Sequence, residues 1–223
     1  MKEKLKAILE ELKNPVTTIV EKSKTEDLKK GCIKGAILAL IMTAINIVSI
    51  IISIFSKYSS KSTWYKNYSA SELWEKRWDA IGDAELFTTF IRSFVIYAIC
   101  IAVFALILFI IAKLVKKQKD YAATLSMVNT TISVYVIAMI LNLILSAIYT
   151  PLGLLVLFAT TVYASFSLMS AFSMSLELED PNKLVLVSTA VLTVTIVLIY
   201  VIIFAIVGNA ISSELNSLES LLK

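Results

Sequence analysis

Five apolar runs dominate this chain, and each is long enough to cross a bilayer. They extend over about 33–55, 91–111, 125–148, 152–172 and 184–207. Crossing about 30 Å of hydrocarbon takes roughly 20 apolar residues in a helix. Lipid offers backbone N–H and C=O groups no partner, so each run is expected to be helical despite its many β-branched residues. The third and fourth runs form one tract broken at Tyr149-Thr150-Pro151 and Gly153, which predicts a tight helical hairpin. The fold class that follows is all-α, a polytopic membrane helix bundle with five transmembrane helices and an amphipathic N-terminal segment. Composition agrees, with 58% of the 223 residues hydrophobic, 17% charged and a mean hydropathy of +0.82.

Lysine placement sets the expected orientation. Residues 1–30 form a basic cytoplasmic segment, 31–208 the membrane domain with an extracytoplasmic loop over about 57–90, and 209–223 a short outer tail. With the N-terminus inside, the inner side carries 14 basic residues and the outer side 7, as the positive-inside rule requires. Five crossings leave the C-terminus outside. Lys113, Lys116, Lys117 and Lys119 crowd the connection between the second and third runs, and are candidate contacts for anionic lipid of the inner leaflet. The first run begins after about thirty residues, is longer than a signal-peptide core and lacks a cleavage site, so it is expected to remain as a span. Arginine occurs only at 77 and 92, and this lysine bias beside abundant Ile and Asn suggests an AT-rich bacterial coding sequence and a bacterial plasma membrane.

Two segments outside the spans are amphipathic. Leu5, Ile8, Leu9 and Leu12 follow helical spacing, Asn14-Pro15 suits a cap and restart, and Val16, Ile19 and Val20 continue the stripe. Thr25, Glu26 and Asp27 resemble another helix start. The segment is expected to lie on the inner membrane surface, with docking of a cytosolic protein as the alternative. In the outer loop, Ser69 and Glu72 have capping-box spacing, and Trp74, Trp78 and Ile81 share the next helical face. Trp64, Trp74 and Trp78 are candidate interfacial anchors, with Tyr58, Tyr65 and Tyr68 in the same aromatic belt.

The chain offers little for catalysis. It has no histidine, and Cys32 and Cys100 sit in separate runs without ligand spacing. No metalloprotease, nucleophile-elbow, phosphate-loop or nucleic-acid motif is present, so no catalytic residue, metal or cofactor is expected and the chain is read as no enzyme. Lys34 and Arg92 lie close enough to span ends to snorkel. Glu177, Glu179 and Asp180 read as a solvated loop. The runs do hold uncharged polarity, chiefly Asn46, Ser126, Asn129, Thr130 and Asn142. Ala122, Ser126 and Thr130 recur every four residues, a spacing that lets helices approach closely. These residues are either helix-packing groups, the favoured reading, or the lining of a polar path.

The order of features resembles a known family. KNP at 13–15 precedes five spans with a large first outer loop, KDYAATLSMVNTT at 119–131 opens the third span, and IYTPLGLLVLF at 148–158 carries the hairpin. Over most of residues 10–208 this resembles the Yip family, five-span Rab-interacting membrane proteins with bacterial relatives, and the chain looks like a bacterial-type member. The DLYGP-type sequence that precedes the spans of eukaryotic members is absent. The resemblance implies an adaptor or organiser of membrane components and carries over no catalytic residue. Expected partners are membrane lipid and either another protein or a second copy of the chain through the membrane domain, with no nucleic acid. A small transporter, channel or transporter accessory subunit is the alternative function.

Overall fold

Local signals at the chain's turns decide where its helices begin and end. The computed structural model describes residues 13–58, 68–117, 119–178 and 180–197. Among them, helices follow in the order α1 (Pro15–Thr25), α2 (Leu28–Lys57), α3 (Ala70–Asp83), α4 (Leu86–Leu114), α5 (Tyr121–Ile148), α6 (Thr150–Ser175) and α7 (Pro181–Val197). No strand occurs among the described residues. Asp27 caps α2, its carboxylate accepting the Lys30 N–H at 2.7 Å. Asn14 precedes α1 but makes no side-chain cap, and Pro15 alone marks the start. Asp180 and Pro181 open α7, with Asp180 Oδ1 accepting the Asn182 N–H at 2.9 Å.

α2, α4, α5 and α6 are long and apolar enough to cross a membrane. The described part of α7 is apolar, and the remainder of the 184–207 run lies outside the described residues. Only 22–33% of the residues in each long helix's most apolar stretch are buried in the protein, so lipid must cover the rest. Ile37 and Leu40 of α2, Ile99 and Leu106 of α4, and Leu155 and Phe158 of α6 are among those facing outward. Facing inward are Leu38, Ala39 and Met42 of α2, Ile101, Phe104 and Leu108 of α4, Leu125 and Val128 of α5, Leu168 and Phe172 of α6, and Val187 and Val191 of α7. This is a polytopic helix bundle with lipid as its solvent.

The α5–α6 hairpin forms where Tyr149 turns extended and Pro151 starts the return. Gly153 makes it close. A Cβ there would lie 2.8 Å from Asn142 Oδ1 and 2.9 Å from the Asn142 carbonyl, and would collide with Ser146 Oγ.

At the opposite end, α4 closes in a Schellman turn. Lys116 takes a left-handed φ of 61°, its N–H meeting the Lys113 carbonyl at 3.0 Å and the Lys117 N–H meeting Ala112 at 3.0 Å. Lys117 Nζ donates to the Glu177 carbonyl at 3.0 Å, tying the α4–α5 turn to the α6–α7 turn.

α1 departs from the surface position expected of an amphipathic helix. Its stripe is turned into the bundle, Ile19 and Val20 being 1% and 7% exposed, and the helix packs against α5 and α6. Protein rather than lipid covers that stripe, because α5 and α6 leave a matching apolar face beside it. Residues 1–12, including Leu5, Ile8, Leu9 and Leu12, lie outside the described residues.

Candidate interhelical polar site

Gly31 and Gly35 stand one turn apart on α2 and bring α5 close. A Cβ at Gly31 would lie 3.2 Å from Leu125 Cδ2, and one at Gly35 would lie 3.2 Å from Asn129 Oδ1. Into that narrow seam α5 sends Asn129, fully buried, whose Nδ2 donates to the Gly31 carbonyl at 2.8 Å. One residue on, Thr130 Oγ1 donates to the Ser126 carbonyl at 2.8 Å and accepts from Lys34 Nζ at 3.3 Å. Lys34 Nζ also reaches Glu26 Oε1 at 2.9 Å, in an ion pair whose side chains are 27% and 20% exposed. Glu26 follows α1, Lys34 belongs to α2 and Thr130 to α5. One ammonium therefore joins three helices.

The seam is not saturated. Glu26 Oε2, Ser126 Oγ and Asn129 Oδ1 are buried without a hydrogen-bond partner among the described residues. Such oxygens ordinarily accept from water or another donor. Lys34 was expected to snorkel; the structure instead holds it by Glu26 and Thr130. The signal that could have revealed this is the run Gly31, Lys34, Gly35, Leu38, whose three- and four-residue spacing places the lysine on the face that packs.

The other polar candidates lie elsewhere. Asn46 Nδ2 donates to Ser93 Oγ at 3.2 Å across α2 and α4. Asn142 Oδ1 accepts from Ser146 Oγ at 3.1 Å beside Gly153 of α6. Thr43, Thr131, Ser133, Thr161, Ser165, Ser167 and Thr195 donate to carbonyls four residues back in their own helices. The bundle's polarity is spent mainly on local bonds and on joining helix pairs.

Two cavities flank α5. A groove of about 200 Å³ is lined by Pro15, Thr18 and Ile19 of α1, Thr130, Ser133 and Ile137 of α5, and Tyr163 and Ser167 of α6. A second cavity, of about 80 Å³, lies among Met42, Tyr97, Phe104, Tyr135, Thr161 and Thr195. Thr131 and Ala164 line both. Asn46, Asn129 and Asn142 line neither.

The four lysines proposed for lipid contact differ in situation. Lys113 and Lys116 are exposed, Lys113 with its ammonium 5.3 Å from the Phe109 ring centroid. Lys117 is committed to the Glu177 carbonyl, a use its sequence position does not reveal. Lys119 is half-buried, and burial holds its pKa below the ordinary lysine value, helped by the Lys24 charge and opposed by Glu177 and Asp120.

Beyond the far end of α2, Ser69 and Glu72 form the predicted capping box, with the Ser69 N–H on Glu72 Oε2 at 2.7 Å and the Glu72 N–H on Ser69 Oγ at 3.3 Å. Arg77 docks α3 on α2, donating from Nε to the Tyr58 carbonyl at 3.0 Å and lying 5.0 Å from the Phe55 ring centroid. Trp74 and Trp78 meet edge to face at 5.9 Å and remain half-exposed, 49% and 55%. Trp64 lies outside the described residues. Among the described residues, no group of three or more His, Cys, Asp and Glu side chains is placed to hold a metal ion.

A family model described as the Yip1 domain matches residues 24–202, a stretch that includes Glu26, Lys34 and the α5 face. No curated protein matches the chain, and no solved structure does.

Proposed function

The chain belongs to the Yip1 domain family, and from that premise we propose that it is a non-enzymatic adaptor that organises other components in its membrane. Support comes chiefly from how the polar groups of the bundle are used. Asn46, Asn129 and Asn142 serve three separate contacts and do not converge on a common cavity. Polarity placed this way stiffens a scaffold. Apolar outward faces on α2, α4 and α6 leave room for lipid and for a protein partner or second copy.

The proposed setting is a bacterial plasma membrane with the lysine-rich end inside, the C-terminus outside after a fifth crossing, and Trp74 and Trp78 at the outer headgroups. The Lys117–Glu177 bond supports this by holding the two short connections at one end. Crosslinking in cells followed by affinity purification of the full chain tests the adaptor role. A reproducible protein partner or homo-oligomer is expected, and a strictly monomeric, partner-free protein under mild extraction overturns it.

The second reading, a small transporter, channel or accessory subunit, has one observation in its favour. The groove and the second cavity share Thr131 and Ala164 in their walls. Solute or ion flux in liposomes, lost on Ser165→Leu with the fold retained, would establish that reading in place of the adaptor.

A further inference from the structure

We infer that α1 is a latch that exchanges between two covers for its apolar stripe, the α5–α6 face on which it packs and the surface of an anionic membrane. This goes beyond the adaptor reading and does not depend on it. The docked position is held lightly. Ile19, Val20 and Ser23 are the buried residues of α1. Beside them a groove of about 200 Å³ stays open between Pro15 and Thr18 on one side and Ile137 and Ser167 on the other. Thr17, Ser23 and Thr25 donate their hydroxyls to the carbonyls of Asn14, Val20 and Lys22, three residues back along the chain. The bond that reaches across is the Lys34 ammonium on Glu26 Oε1, at the end of α1. Glu26 Oε2 is buried with no hydrogen-bond partner among the described residues. Docking therefore leaves half of this carboxylate without the donors that water supplies.

The other cover suits the same helix. Lipid tails are as apolar as the side chains of α5 and α6 that they would replace. Lys13 and Lys24 are exposed, and Lys22 shares the last turn of α1 with Lys24. An apolar stripe flanked by lysines is what an anionic surface binds. The joint permits the exchange. Glu26 and Asp27 alone separate α1 from α2, and both are extended, with ψ of 129° and 166°. The Glu26 N–H meets the Lys22 carbonyl at 3.1 Å, and Asp27 accepts the Lys30 N–H at 2.7 Å. Rotation between Glu26 and Asp27 swings α1 while each helix keeps these end bonds. The same rotation carries the Glu26 carboxylate away from Lys34 and into water.

The test places nitroxides on Thr17→Cys of α1 and Ser170→Cys of α6, both exposed positions, in the full chain lacking Cys32 and Cys100. Double electron–electron resonance then reads the distance between them in nanodiscs of phosphatidylcholine or of phosphatidylcholine with phosphatidylglycerol. Phosphatidylcholine should give one short distance, and phosphatidylglycerol should add a second, longer one. Glu26→Gln should raise the ratio of long to short about fivefold in either lipid. Lys13→Gln with Lys24→Gln should cut the long population in phosphatidylglycerol about tenfold. A second pair of labels, at Lys113 and Ser170, should keep one distance throughout and shows that the bundle stays folded. One unchanged Thr17–Ser170 distance in both lipids and in Glu26→Gln overturns the proposal and makes α1 a fixed member of the bundle. A long population that persists in the lysine double variant overturns anionic lipid as the driver. An equal change between Lys113 and Ser170 overturns the latch, because the bundle itself would then be deforming.

Discussion

Asn129 and Lys34 show what single residues do in this bundle. Asn129 is the kind of residue a sequence flags, an amide inside an apolar run. Its partner could not be flagged, because that partner is the backbone carbonyl of Gly31. Interhelical bonds of this kind average only about 0.6 kcal/mol, so the close glycine seam must supply packing as well. Lys34 was harder still. Its place near a span end satisfies a snorkelling lysine equally well, and only the fold brings Glu26 and Thr130 to it. Lys34→Met should cost about 2 kcal/mol by leaving the Glu26 carboxylate half-buried without its cation. In a double-mutant cycle with Glu26→Gln, read from denaturant-induced unfolding in micelles, the two losses should be strongly non-additive. Additive losses would show that the pair contributes nothing.

At the scale of helices, the capping box of α3 was legible because Ser69 and Glu72 need only local spacing to find each other. It also gives a pH prediction. The Ser69 hydroxyl and then the Ser69 N–H hold the Glu72 carboxyl below its ordinary value. A depressed pKa means that the cap contributes above the unfolded carboxylate range and is lost as pH falls through the folded value. Amide exchange in the first turn of α3, corrected for intrinsic rates, should therefore quicken in acid, and Glu72→Gln should remove that dependence. The α5–α6 hairpin was legible from Pro151 and Gly153, although the close approach to Asn142 was not. Gly153→Ala should cost about 1–3 kcal/mol, measured by thermal unfolding, since the backbone of Asn142 cannot rotate away. The placement of α1 was illegible for a different reason. An apolar stripe at Ile19 and Val20 states that something covers it, and lipid and protein satisfy the same pattern.

Across the whole molecule, the helical membrane bundle was legible because lipid allows an apolar run few structures, and the family was legible from the order of those runs. The interhelical site was only half legible, since α5 announced its polar face while α1 and α2 did not. Orientation belongs to this scale too. Neutralising Lys113, Lys116, Lys117 and Lys119 together should leave a measurable fraction of molecules inverted in a reporter-fusion assay, and the loss of the Lys117–Glu177 bond should loosen the two turns as well.

The central claim is that the amides of the bundle pack helices and do not line a hydrated path. Substituting Asn46, Asn129 and Asn142 singly with cysteine, in a chain lacking Cys32 and Cys100, tests it directly with a membrane-impermeant maleimide applied to open membranes. Cysteine at the exposed Lys116 provides the labelled control. All three bundle positions should stay unlabelled while the control reacts to completion. Rapid labelling of all three in a folded protein would place them on a common aqueous route and contradict the claim.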